Sequence, residues 1–132
     1  MRYLPDTNIW IALLNGTSPN VAATFKQHKE SDIVLCSVVK AELYFGALKS
    51  ARVEQNLERL KLVTSRFTSL NFDDDAAFMY GVIREELERG GTPVGPNDLL
   101  IASIAVANGA IVVTHNTREF SRIQGLKVED WL

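Results

Sequence analysis

The chain holds one cysteine among 132 residues, so no disulfide can form within it. Cys36 closes the apolar run Ile33-Val34-Leu35-Cys36 and reads as a buried thiol. Histidine is scarce too, with two in all, and nothing resembles a Cys/His cluster for zinc. No apolar run approaches the ~18–20 residues that span a bilayer. Pro5 and Asp6 interrupt the first residues before a basic-then-apolar leader could form, so a cytoplasmic protein is the expectation. Repeats, low-complexity tracts and internal linkers are missing, which leaves a single domain over 1–132. Positive charge is not in excess: 14 Lys and Arg face 16 Asp and Glu, a formal charge of −2. That balance counts against a general nucleic-acid binder. It leaves room for an enzyme whose acids gather at a cation while its bases lie elsewhere.

What is present suits a packed globule, 46% hydrophobic and 23% charged. Residues 2–5 predict a short strand, with Pro5 tolerated at an edge or a strand end. A mostly apolar helix follows over 9–14 and stops at Asn15-Gly16. Ser18-Pro19 starts a second helix, which ends near His28. Ile33 to Cys36 predicts a buried strand, after which Ser37 caps a helix to about Ser50. Another helix spans about 53–67, with Leu57, Leu60 and Val63 or Thr64 on one face. Residues 68–72 are a weaker strand, and Asp73-Asp74-Asp75 opens a helix that stops at Gly90-Gly91. Asp98 begins a helix to Ala107 that is apolar on nearly every side, hence buried. Ala110-Ile111-Val112-Val113-Thr114 is unalternated and β-branched, as in a parallel strand covered on both faces. A last strand is expected over 126–129. Strands alternating with helices predict a three-layer α/β/α sandwich on a mostly parallel sheet.

In such sheets ligands bind outside the carboxyl ends of the strands, and acids recur at those ends. Asp6 follows the first strand, where it reads either as a helix cap or as a site residue. At about 100° per residue, Glu42 falls within the arc of Val38, Val39, Phe45 and Gly46, an inward position that is costly for an unpaired carboxylate. The other reading puts Leu43, Ala47 and Ser50 inward and Glu42 in water. Asp98 could simply cap its helix, but that buried helix carries the acid toward the interior. Glu119, with Asn116, follows the strand that ends at Thr114; alone, it would be a surface charge. Taken together, such carboxylates cannot all ionise at one sheet edge without a cation. Oxygen-only ligands suit Mg²⁺ or Mn²⁺, which would favour attack on a phosphodiester.

Asp6-Thr7-Asn8, Glu42, Pro96-Asn97-Asp98 and Asn116-Thr117-Arg118-Glu119-Phe120, in that order and spacing, closely resemble the PIN-domain ribonucleases, specifically the VapC toxins of bacterial toxin–antitoxin pairs. The likeness extends through Gly91-Thr92-Pro93-Val94-Gly95-Pro96 to the Glu129-Asp130-Trp131 ending. It implies a single PIN domain and a Mg²⁺- or Mn²⁺-dependent endoribonuclease that halts translation. By position, Asp6, Glu42 and Asp98 match the family's metal-binding carboxylates. Many members carry an aspartate where Asn116 stands; here Glu119, one helical turn on, bears the charge, so the fourth ligand is Asn116 or Glu119, or the two together through a water. Thr7 matches a hydroxyl that orients the first aspartate or a water. The Thr-Pro-Val-Gly-Pro loop resembles the subgroup that cuts initiator tRNA in its anticodon stem-loop.

The same resemblance implies a VapB antitoxin as partner, whose tail occupies a groove and brings an arginine to the acids, together with a homodimer and a higher toxin–antitoxin assembly. The helices over 37–50 and 53–67 would clamp it through Tyr44, Phe45, Leu48 and Leu57, residues that core or dimer packing would equally explain. Lys40, Lys49, Arg52, Arg84, Arg89 and Arg118 are the candidates for RNA phosphates. His115 reads as a strand-end surface residue rather than a base. A haloacid-dehalogenase phosphatase would need a second aspartate where Asn8 stands. A response-regulator receiver would need an acidic pair near the start. The non-enzyme alternative is an inactive PIN module that acts by binding a partner protein or RNA, which Asn116 keeps open.

Overall fold

The computed structural model describes residues 1–132. Its elements run β1 (Tyr3–Pro5), α1 (Thr7–Asn15), α2 (Pro19–Gln27), a 3₁₀ turn (Glu30–Asp32), β2 (Val34–Cys36), α3 (Ser37–Leu48), α4 (Val53–Thr64), β3 (Thr68–Leu70), α5 (Asp74–Arg89), α6 (Pro96–Ala107), β4 (Ile111–Val113), α7 (Thr117–Phe120) and β5 (Val128–Glu129). Local chemistry explains most boundaries. Ser18 and Asp73 each accept a backbone N–H from three residues on, Val21 and Ala76, at 3.2 and 3.0 Å. Gly16 closes α1 in the left-handed region at φ 64°, which glycine adopts without strain. Three expected starts move. The first helix, expected from residue 9, begins at Thr7 behind the Asp6 cap. Cys36, not Ser37, is the cap residue of α3, without a side-chain bond. The last long helix begins at Pro96 rather than Asp98, because proline's fixed φ and missing N–H suit the first helical position.

Every strand pairing is parallel. β1 pairs with β4 and β4 with β5, while β2 pairs with β3. A bridge from Tyr3 to Ile33 joins the two parts, so the order across the molecule is β3-β2-β1-β4-β5. β1 is therefore central, not an edge. Pro5 explains why its link to β2 is a single bridge. Ile111 N–H donates to Arg2, and Asp6 N–H to Val113, both at 2.8 Å, so even-numbered residues face β4. Alternation turns Tyr3 and Pro5 toward β2, where proline has no N–H to give.

Right-handed crossovers fix the layers. The chain steps from β1 to β2 to β3 in one direction, then returns past β1 to reach β4 and β5. That reversal sets α1–α4 on one face and α5–α7 on the other, an α/β/α sandwich. α1 packs on α3, α3 on α4, and α5 on α6. The reversal point lies between β1 and β4, and their carboxyl ends open the crevice where such sheets hold ligands.

The core runs between the layers from Leu4, Trp10 and Val112 to Ile101, Ile104 and Phe120, all essentially without exposure. At one end Trp10, Phe25 and Phe67 pack edge to face, and Trp131 extends the group by stacking on His28. Phe120 matters to the site, because it is the buried anchor of the short helix that carries Asn116 and Glu119 on its first turn. Phe120→Ala is expected to cost about 3–5 kcal/mol in urea unfolding and to loosen α7, read as faster amide exchange at Glu119.

Candidate active site

Asp6 sits at the carboxyl end of β1 and is 7% exposed. Its two oxygens do different work. Oδ1 accepts the Ile9 N–H at 3.1 Å and caps α1, while Oδ2 accepts the Thr114 hydroxyl at 2.6 Å. Cap and site residue are therefore one role, not two. Thr114, fully buried at the end of β4, in turn accepts the Asn116 N–H at 2.9 Å and shapes the turn into α7. Burial pushes the pKa of Asp6 up, against the lowering effect of the Thr114 and Ile9 bonds.

Glu42 lies on α3, but the expected inward arc is not the core face. Val39, Leu43 and Ala47 are buried, and Phe45 is 64% exposed. Glu42 stands on the shoulder of that face, half-buried. Its Oε1 accepts the Thr7 hydroxyl at 2.6 Å, and Asn97 lies 3.4 Å from Oε2. Thr7 thus orients Glu42 rather than Asp6. This bond links the start of α1 to α3.

Asp98, third residue of α6, has no hydrogen-bond donor of its own. Burial first, then the charges of Glu119, Asp6 and Glu42, push its pKa up to about 6. Glu119 is the opposite case. Oε1 accepts the Gly95 N–H at 2.6 Å and Oε2 the Asn116 amide at 2.7 Å, and these bonds hold its pKa down. Glu119 therefore ties the loop before α6 to α7.

The four carboxylates share one edge and feel one another's charge, as the pKa of Asp98 records. They do not converge to ligand distance: no three acidic, histidine or cysteine side chains stand together closely enough to hold a metal ion. Repulsion accounts for the spread, each acid but Asp98 leaning toward a donor. An oxygen-only set with one acid lacking a donor and hemmed in by three others fits a hard divalent cation, which would offset that repulsion.

The remaining candidates divide. Lys49 lines the cleft beside Glu42 and Thr7, and Arg118 is exposed on α7 next to Glu119. Lys40 is half-buried on α3, and Arg52 is exposed before α4. Arg84 and Arg89 are spent on Glu88 and Glu85 one turn along α5, both at 3.1 Å. His115 is exposed and meets Asp130 at 3.0 Å, away from the acids' hydrogen bonds. Thr114, Asn97 and the Gly95 amide belong to the site but carried no signal in the sequence beyond a strand-end threonine and the residues flanking Pro96.

Two cavities meet at Glu42. A groove of about 260 Å³ between α1, α3 and α4 is walled by Ile11, Leu14, Leu43, Ala47 and Leu60, with Arg59 at its rim. A wider cleft of about 770 Å³ lies on the other side, holding Thr7, Asn8, Ser37, Glu42, Phe45, Lys49 and Asn97. Of the four expected clamp residues, Tyr44 and Leu57 pack partly against the core, while Phe45 and Leu48 stand in solvent. None of the four walls the groove; the residues that do are their neighbours on the inner sides of the helices. No helix is long and apolar enough to cross a membrane.

The sequence profile of the PIN domain matches residues 3–126. The chain belongs to the PIN-domain family. Within that family it is 40% identical to "Ribonuclease VapC2" of Rickettsia felis over 132 residues, covering 99% of this chain and 98% of the relative. It is 41% identical to "tRNA(fMet)-specific endonuclease VapC" of Shigella flexneri over 131 residues, with the same coverage. In structure, this PIN domain superposes on a chain of VapBC2 from Rickettsia felis, solved bound to a DNA fragment from its promoter, with a TM-score of 0.93, 38% identity and complete coverage of both chains. The matched span of the PIN domain takes in all four acids.

Two outcomes follow for the PIN domain. Thr114→Val leaves Asp6 without its buried donor and is expected to cost about 1–3 kcal/mol in urea unfolding, whereas Thr114→Ser, which keeps the hydroxyl, should lose much less. The second concerns pH in the presence of a chelator. Asp98 ionises near 3.8 in the unfolded chain and near 6 in the folded one. Its ionised form therefore weakens the fold above about 6, and that penalty is gone below the unfolded value. Asp98→Asn should raise the melting temperature at pH 7.5, and the gain should vanish near pH 4. A gain that is constant across this range removes the electrostatic account.

Proposed function

We propose that the chain is the toxin of a VapB–VapC pair, an endoribonuclease that uses Mg²⁺ or Mn²⁺ and takes initiator tRNA, cut in the anticodon stem-loop, as its substrate. The observation that supports it most directly is the set of four carboxylates around the β1–β4 crevice, with the pKa of Asp98 raised to about 6 by burial and its three neighbours. Asp6, Glu42 and Asp98 would hold the ion, with Glu119 as the fourth acid. Bound there, a divalent cation supplies polarisation of a phosphoryl oxygen and lowers the pKa of the attacking water.

The chain's own residues do the positioning. Thr114 holds Asp6 against β4, and Thr7 holds Glu42 toward the cleft. Glu119 and Asn116 fix the loop before α6, and so the height of Asp98 at the crevice. Lys49 in the cleft and Arg118 on α7 are the cations best placed for substrate phosphates; Lys40 and Arg52 are the outlying ones. The tRNA assignment draws on the likeness to the tRNA(fMet)-specific endonuclease of Shigella flexneri and on the Thr92-Pro93-Val94-Gly95-Pro96 loop. The antitoxin assignment draws on the apolar groove between α1, α3 and α4. A partner segment lying there reaches Glu42, where a partner cation would neutralise the acids.

Purified protein is expected to cleave RNA with Mg²⁺ or Mn²⁺, to stop in EDTA, and to lose activity in Asp98→Ala. Mapping RNA 5′ ends after a short induction should place cuts in the anticodon stem-loop of initiator tRNA. Cuts elsewhere would keep the ribonuclease and discard the substrate. Cleavage that persists in EDTA overturns the cation, and a folded protein without cleavage or toxicity is the binding module instead.

A further inference from the structure

Most large apolar side chains on α3 are turned toward the core, but Phe45 is 64% exposed. It does not project at random. Glu42, Phe45 and Lys49 fall at i, i+3 and i+7 and form a stripe along the helix, about 10 Å from end to end at 1.5 Å per residue. All three line the same cleft as Thr7. The Lys49 ammonium lies 5.0 Å from the centre of the Phe45 ring, a cation over one face that helps hold the ring in place. Acid, aromatic and cation thus follow one another outward from the catalytic carboxylates.

We propose that Phe45 is a stacking platform for an unpaired base of the RNA substrate, with Lys49 meeting the phosphate on its far side. The inference rests on the ribonuclease reading above. Every base has a π-face, so an exposed ring in a groove carrying cations binds single-stranded nucleic acid without needing a particular sequence. The position suits a nucleotide next to the scissile bond: its phosphate lies toward Glu42 and Thr7, its base on the ring, and the next phosphate at Lys49. The cleft, about 770 Å³, falls within the roughly 300–1,000 Å³ usual for small-ligand sites. Asn8 and Ser37 at its wall offer hydrogen bonds to a base edge or a ribose. The groove between α1, α3 and α4 shares Ile11, Glu42 and Gly46 with this cleft but does not include Phe45, so a protein segment seated there would leave the ring free.

Steady-state cleavage of an initiator tRNA transcript separates these occupants. Phe45→Leu keeps an apolar side chain but removes the π-face, and solvent exposure makes it harmless to folding. It should raise KM about ten-fold, the size of one lost base–aromatic stack, with little change in kcat. Phe45→Trp should restore KM. A 2-aminopurine placed in the anticodon loop should be quenched on binding to Asp98→Asn protein, and less so once Phe45→Leu is added. An unchanged KM in Phe45→Leu overturns the platform, all the more if that variant instead loses affinity for the antitoxin. Wild-type protein that cleaves no RNA overturns the ribonuclease reading itself.

Discussion

The bond from the Thr114 hydroxyl to Asp6 joins residues 108 positions apart and holds the ends of the two central strands together. With Oδ1 capping α1 and Oδ2 on β4, Asp6 sets the direction of the first helix and the width of the crevice at once. Thr114 passes the constraint on through its bond from Asn116, which starts α7 and so places Glu119. Glu119 then reaches across to the Gly95 amide and fixes the start of α6, hence Asp98. A short relay of hydrogen bonds thus runs from one acid of the site to the next.

That relay works against a repulsion. Burial first, and then the charges of Glu119, Asp6 and Glu42, disfavour ionised Asp98 in the folded chain near neutral pH, and Asp98 has no donor to offset them. The fold tolerates the arrangement because the surrounding core is thoroughly buried and each remaining acid has a hydroxyl or amide to lean on.

Helix α3 divides two surfaces. Its inner shoulder walls a groove with α1 and α4, its outer stripe walls the wider cleft, and Glu42 belongs to both. Ile11 and Gly46 border both as well, so occupants of the groove and of the cleft would meet along that seam.

By itself the sequence determined the order of strands and helices along the chain and the parallel sheet, because these depend on local patterns: β-branched runs, caps and helix-stopping glycines. Legibility failed where two elements had to meet. Pro5 does stand at a strand end, one of its two readings, but that β1 is central rather than an edge shows only in the paired structure, where the missing N–H faces β2. Glu42 could be assigned to an inward arc by angle alone, but which side of α3 is the core depends on where α1, α4 and α6 press against it. The roles of Thr7 and Thr114 were hidden for the same reason, their partners being 35 and 108 residues away. Short-range chemistry chose the residues; only the tertiary structure decided which of them hold the others in place, because that depends on distances between segments remote in the chain.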